Sequence, residues 1–79
     1  MTNATNNNAP IQSFRIGSVR AAVWAKQGEN GTFHSVTITR TYKDGETYKD
    51  TNSYSHLELL AVARVAEQAA RYIETLEAA

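Results

Sequence analysis

The fold of this chain is decided by residues 14–42, which read FRIGSVRAAVWAKQGENGTFHSVTITRTY. Residues 14–26 and 32–42 are rich in β-branched and aromatic side chains and alternate with a period of two, the pattern of half-buried strands. Between them, residues 27–31 (QGENG) supply the glycines and the asparagine that a hairpin turn favours. This stretch therefore predicts a long antiparallel hairpin.

The two predicted strands each have one apolar and one mixed face, because successive side chains of a strand point to opposite sides. The apolar face of the first strand comprises Val19, Ala21, Val23 and Ala25. The opposite face comprises Arg20, Ala22, Trp24 and Lys26, followed on the second strand by Phe33, Ser35, Thr37, Thr39, Thr41 and Lys43. Phe14 and Ile16 share the parity of Arg20, so we expect a bulge or bend at Gly17 where the apolar face changes sides.

The rest of the chain extends the hairpin into an α+β domain. Residues 43–45 (KDG) predict a second turn and residues 46–51 a shorter, more polar strand. Ser55 and Glu58 have the spacing of a capping box, and the helix that they open is expected to run to about Leu76. We expect residues 1–10 to be a disordered, Asn-rich tail, and residues 11–79 to be one ββββα-type domain: a curved antiparallel meander of three to four strands, then one long C-terminal helix.

The predicted helix has an apolar arc of roughly 180°, wider than the ~100° that packing on one sheet requires. A chain of 79 residues without cysteine has no disulfide to supplement a small core. Both observations predict that the helices of two copies pair across a two-fold axis. The expected dimer interface comprises Leu59, Val62, Ala63, Ala66, Ala69, Ala70 and Ile73.

Chemistry-bearing residues are few. His34 and His56 are the only histidines, and neither belongs to a zinc-binding pattern. No nucleophile elbow, phosphate loop or carboxylate pair is recognisable, so we expect no enzyme activity, no metal, no cofactor and no small-molecule substrate. The N-terminus lacks the features of a secretory signal, and no apolar run is long enough to cross a bilayer. A cytoplasmic location follows as the expectation, on the nucleoid if the source is prokaryotic.

The charges are unevenly distributed although the net charge is zero. Residues 14–49 hold six basic and three acidic side chains, whereas residues 55–79 hold two basic and four acidic ones. The mixed face of the predicted sheet is both aromatic and basic, and Tyr48 lies near its rim. Cations for phosphates and flat rings for unstacked bases are what a single-strand nucleic-acid binder needs. A dimeric protein-interaction adaptor, anchored by Trp24, Phe33 and Tyr48, is the alternative.

The order of these elements resembles the transcriptional positive coactivator family, single-stranded-DNA binders related in fold to the Whirly proteins. Phe14, Ile16 and Gly17 match the F-x-I-G opening of the family domain, residues 37–46 (TITRTYKDGE) look like its central strand and turn, and residues 55–73 are similar to its helix. The resemblance implies a homodimer that binds single-stranded DNA across its sheets. The positions of matching type are Arg20, Trp24, Lys26, Phe33, Arg40, Lys43 and Lys49.

Two features depart from that family. Its lysine-rich segment after the turn is represented here by Lys49 alone, and an Asn-rich tail stands in place of its Ser- and Lys-rich extension. The choice between DNA and RNA stays open, because it depends on contacts to the 2′-hydroxyl that no strand pattern reveals. Sequence specificity and biological process also stay open.

Overall fold

A computed structural model describes residues 9–78 as four antiparallel strands followed by one helix. The strands are β1 (Gln12–Ile16), β2 (Val19–Gly28), β3 (Gly31–Asp44) and β4 (Thr47–Thr51), and each pairs with its neighbour in sequence. A short 3₁₀ turn (His56–Glu58) leads into helix α1 (Leu59–Ala78). The predicted α+β class, with a meander and a long C-terminal helix, is confirmed. Residues 1–8 of the tail that was predicted to be disordered lie outside the described residues.

The expected bulge at Gly17 is instead a tight turn between two strands. Ile16 pairs directly with Val19, so residues 17 and 18 form a two-residue hairpin connection. Gly17 has a φ of +61°, which suits the first central position of a type II′ turn. The hairpin explains the parity of the sequence: Phe14 and Ile16 lie opposite Ala21 and Val19, so the apolar face continues without changing sides.

The core lies between α1 and the sheet face that carries this apolar row. Its buried members are Val19, Ala21, Val23, Val65 and Ala69. Around them, Phe14 of β1 meets Tyr72 of α1 edge to face, with ring centroids 6.0 Å apart. Burying one valine side chain contributes about 1.5–3 kcal/mol, so a core built from a few valines and alanines contributes little to the free energy of unfolding.

Within residues 9–78, no helix is long and apolar enough to span a membrane.

Charged and polar contacts connect the start of the helix with β3. The Glu58 carboxylate accepts a hydrogen bond from the Ser55 backbone N–H at 3.0 Å, as expected of a capping box, and a second one from the Ser55 hydroxyl at 3.1 Å. Arg40 Nε lies 3.1 Å from the same carboxylate. These hydrogen bonds from Ser55, and to a lesser degree the charge of Arg40, lower the pKa of Glu58. Tyr54 donates its hydroxyl hydrogen to the Ile38 carbonyl, and burial raises the pKa of this phenol.

Candidate nucleic-acid interface

The sheet face opposite α1, here called the outer face, is defined by strand register. Side chains of directly paired residues lie on the same face of an antiparallel sheet, so one known position places all the others. On β2 the outer face carries Arg20, Ala22, Trp24 and Lys26, and on β3 it carries Phe33, Ser35, Thr37, Thr39, Thr41 and Lys43. The edge strands add Ser13 and Arg15 from β1, and Tyr48 and Asp50 from β4.

Trp24 is held in place on the outer face by a hydrogen bond. Its indole Nε1–H donates to Thr37 Oγ1 at 2.9 Å, a position diagonal to Trp24 on β3. Ala22, the direct partner of Thr37, is only 1% exposed although it lies on the face that α1 does not cover. The indole is partly exposed and fixed in orientation, as a stacking platform requires.

Phe33 is a second aromatic ring on the same face. A Cβ atom at Gly28 would stand 2.2 Å from Phe33 Cε2, so the ring occupies the space that a side chain at residue 28 would need. Phe33 is nevertheless 60% exposed, so much of the ring is open to solvent. Lys26 is its direct partner on β2. The glycine therefore supports an aromatic surface beside a cation.

A cleft of about 470 Å³ lies beside Trp24, lined by Trp24, Ala25, Lys26, Gln27 and Ser35. One side of this cleft is an open strand edge. The register of β1 ends with Gln12 opposite Val23, and only the Ile11 N–H, which donates to the Val23 carbonyl at 2.8 Å, extends the pairing. Because backbone groups alternate between the two edges of a strand, those of Ala25 and Gln27 face away from β3. Within residues 9–78 nothing pairs with them from that side.

The outer face has an excess of positive charge. Its cations are Arg15, Arg20, Lys26 and Lys43, and its one carboxylate within the described chain is Asp50. Asp50 accepts a hydrogen bond from the Thr41 hydroxyl at 2.8 Å. None of the four cations forms an ion pair with another residue of the described chain. Lys43 instead lies over the ring of Tyr48, with Nζ 5.9 Å from the centroid.

Two of the residues predicted as contacts lie on the helix side of the sheet. Arg40 pairs with Glu58 and also donates to the Ser53 carbonyl at 3.3 Å. Lys49 forms an ion pair with Asp44 at 3.0 Å. Both have partners and point away from the outer face, so the structure does not bring them together with the other five predicted residues, which are Arg20, Trp24, Lys26, Phe33 and Lys43.

Arg15 belongs to the outer face but was not among the predicted contacts. The prediction treated residues 14–26 as one strand with a bend at Gly17, which left open on which face of the sheet the Arg15 side chain lies. The signal that would have placed it is Gly17-Ser18 between two alternating runs, a composition suited to a two-residue hairpin. Tyr48, 71% exposed, was expected at the rim of the site and lies on the outer face opposite Lys43.

The residues predicted to form the helix interface fall into two groups, which share Ile73. Ala69 is buried in the core of its own protomer, and Val62 and Ile73 pack partly against that core. Along one flank of α1, an apolar stripe repeats with spacings of four and three residues and leaves Ala63 and Ala70 exposed and Leu59 52% exposed. We call this set the helix stripe; it consists of Leu59, Ala63, Ala66, Ala70 and Ile73.

The two histidines lie outside the outer face. In the described part of the chain no three metal-ligating side chains come together. His34 Nδ1 lies 3.3 Å from Glu77 Oε2, a contact between β3 and the end of α1, and His56 is exposed at the start of the helix. Comparison of the chain with known protein families, curated proteins and solved structures finds no significant match. A function for this chain is therefore inferred from the outer face itself.

Proposed function

We propose that this protein binds single-stranded nucleic acid through the outer face of its sheet, acts as a homodimer, and has DNA as its preferred ligand. The observation that carries the proposal is the composition of that face: Trp24, Phe33 and Tyr48 lie among four cations and a single carboxylate within residues 9–78.

The arrangement suits single strands better than duplexes. Unpaired bases can stack on exposed rings, at about 1–3 kcal/mol per base, whereas a duplex buries the base faces in its own stack. Lys26 and Lys43 lie beside Phe33 and Tyr48, so each of these rings has a neighbouring cation for a phosphate. The orientation of Trp24 is already fixed by its hydrogen bond to Thr37, which lowers the entropic cost of binding.

The helix stripe supports the dimer part of the proposal. Its alternation of four and three residues is the spacing at which two helices pack along a common seam, and its alanines permit close approach. Two copies joined in this way would offer two outer faces to one strand, and linked sites raise the effective affinity. We also propose a cytoplasmic location, which with single-stranded DNA as the ligand becomes the nucleoid if the source is prokaryotic.

The test is fluorescence anisotropy of a labelled single-stranded oligonucleotide of mixed sequence, titrated with protein at two salt concentrations, with duplex DNA and single-stranded RNA as competitors. We expect binding that resists the duplex and weakens with salt, with a log-log slope of about −0.7 for each phosphate contact. Stronger competition by the RNA would reverse the preference for DNA. Absence of binding at low salt would reject the proposal.

A protein-interaction adaptor is the second candidate, and one observation favours it. Leu57 and Leu60, at the start of the helix, are each 80% exposed. Exposed leucines close together are common in surfaces that bind other proteins. An adaptor of this kind does not bind nucleic acid, so the anisotropy experiment separates the candidates: the adaptor gives no binding of the oligonucleotide even at low salt.

A further inference from the structure

Two arginines stand directly opposite each other on the outer face. The register pairs Arg15 of β1 with Arg20 of β2. Direct partners of this kind have Cβ atoms about 4.5–5.5 Å apart, and like charges at that distance destabilise a sheet. The fold therefore maintains an unfavourable electrostatic contact at this end of the outer face.

Nothing in the described chain neutralises the pair. Both side chains are exposed, and neither forms an ion pair within residues 9–78. The carboxylate of the outer face, Asp50, lies on β4, two strands away from Arg20. Arg40, the other arginine of the described strands, has a carboxylate partner, Glu58, at 3.1 Å. Among the arginines of the described strands, the two without a carboxylate partner are thus those of the outer-face pair.

The geometry of the pair leaves its hydrogen-bond donors available. Arg15 Nε donates to the Gly17 carbonyl at 3.0 Å, which fixes the guanidinium beside the β1–β2 turn and leaves its terminal amino groups for another acceptor. Thr39, the direct partner of Arg20 on β3, adds a hydroxyl beside the two guanidinium groups. Planar guanidinium groups match the oxygens of a phosphate and bind them through paired hydrogen bonds.

We propose that Arg15 and Arg20 form a phosphate-binding site on the outer face. A bound phosphate removes the repulsion between the two guanidinium groups and satisfies their donors. The inference rests on the proposed function for its natural ligand, which is a phosphodiester of a bound single strand. Trp24 lies four residues beyond Arg20 on the same strand, about 13 Å away, so one nucleic-acid strand that follows β2 would meet the arginine pair first and the indole next.

The first arm of the test uses inorganic phosphate alone. Proton–nitrogen NMR spectra would follow the Nε–H signals of the arginines during a phosphate titration at constant ionic strength, balanced with chloride. We expect saturable shifts at Arg15 and Arg20 and none at Arg64, an exposed arginine of α1. The variant Arg20→Gln should lower the phosphate affinity, measured from the shift of the Arg15 signal, by about tenfold or more, because a hydrogen bond between charged groups is lost. Linear shifts of equal size at all three arginines would overturn the site.

The second arm separates this inference from the proposed function. Arg15→Gln and the matched control Arg64→Gln are titrated against the single-stranded oligonucleotide. Loss of about tenfold in affinity with Arg15→Gln only would support the pair as a phosphodiester site. Saturable phosphate shifts without any oligonucleotide binding would keep the site and reject the nucleic-acid function. Oligonucleotide binding that is equally tight in both variants, without saturable phosphate shifts, would reject the site and keep the function.

Discussion

Trp24 is the residue on which proposed stacking depends most, because its indole is partly exposed and its orientation is fixed by Thr37. We expect Trp24→Ala to weaken oligonucleotide binding by about 1–3 kcal/mol through loss of one stacking platform. The control is Tyr42→Ala, which removes an aromatic ring from the helix side of the sheet. Anisotropy titrations measure both effects, and circular dichroism checks that the variants fold. An equal loss in the two variants would argue against a role of the outer face.

Lys43 and Lys49 form a matched pair of lysines on opposite sides of the sheet. Lys43 lies on the outer face beside Tyr48, whereas Lys49 is paired with Asp44 on the other side. We expect Lys43→Ala to weaken binding to all single-stranded sequences alike and to make the salt slope shallower by about 0.7, the value of one phosphate contact. Lys49→Ala should leave both quantities unchanged. A salt slope that changed with Lys49→Ala only would place the nucleic acid on the helix side.

At the scale of elements, the helix start depends on the ionisation of Glu58. Hydrogen bonds from Ser55 hold the pKa of Glu58 below its ordinary value of 4.5. A carboxylate whose pKa is lower in the folded state stabilises the fold at pH values above 4.5 and loses this effect as the pH falls through the folded-state pKa. We therefore expect Glu58→Gln to lower the unfolding midpoint at pH 7, with the difference from the native chain shrinking at strongly acidic pH.

Thermal unfolding followed by circular dichroism at several pH values measures this difference. Glu67→Gln is the control, since Glu67 forms its ion pair with Arg71 on the exposed side of α1, where ion pairs contribute little. A destabilisation by Glu58→Gln that stayed constant down to strongly acidic pH would show that the carboxylate charge is not its cause.

The elements themselves were largely predictable from sequence, because alternation and capping are local signals. The hairpin of residues 19–42 and the helix start at Ser55 follow from a period of two and from the Ser-x-x-Glu spacing. The face of the sheet on which Arg15 lies was not predictable in the same way. One misjudged turn at Gly17 leaves open which side chains of β1 lie on which face. The partners of Arg40 and Lys49 depend on how the helix start and the last turn fold back, which is tertiary information.

At the scale of the whole molecule, the distribution of large apolar side chains is unusual. All four leucines, Leu57, Leu59, Leu60 and Leu76, are at least 40% exposed, whereas the fully buried side chains are valines and alanines. Leucine is ordinarily among the most buried residue types. A protomer that exposes its leucines and buries small residues gains little from its own core, which is the situation in which a second copy adds most to stability.

The helix stripe gives this argument a direct test. Ala70 is exposed in the protomer, so Ala70→Glu should leave the protomer folded while placing an unpaired charge in the seam between two helices. Burying such a charge costs about 3–5 kcal/mol, so we expect a dimer at about 10 µM for the native chain and a monomer for the variant. Gln68→Glu adds the same charge to an exposed position off the stripe and should remain dimeric. Sedimentation velocity distinguishes the monomer from the dimer. A native chain that sediments as a monomer would remove the dimer from the proposed function. The outer face of each protomer could then still bind a strand alone.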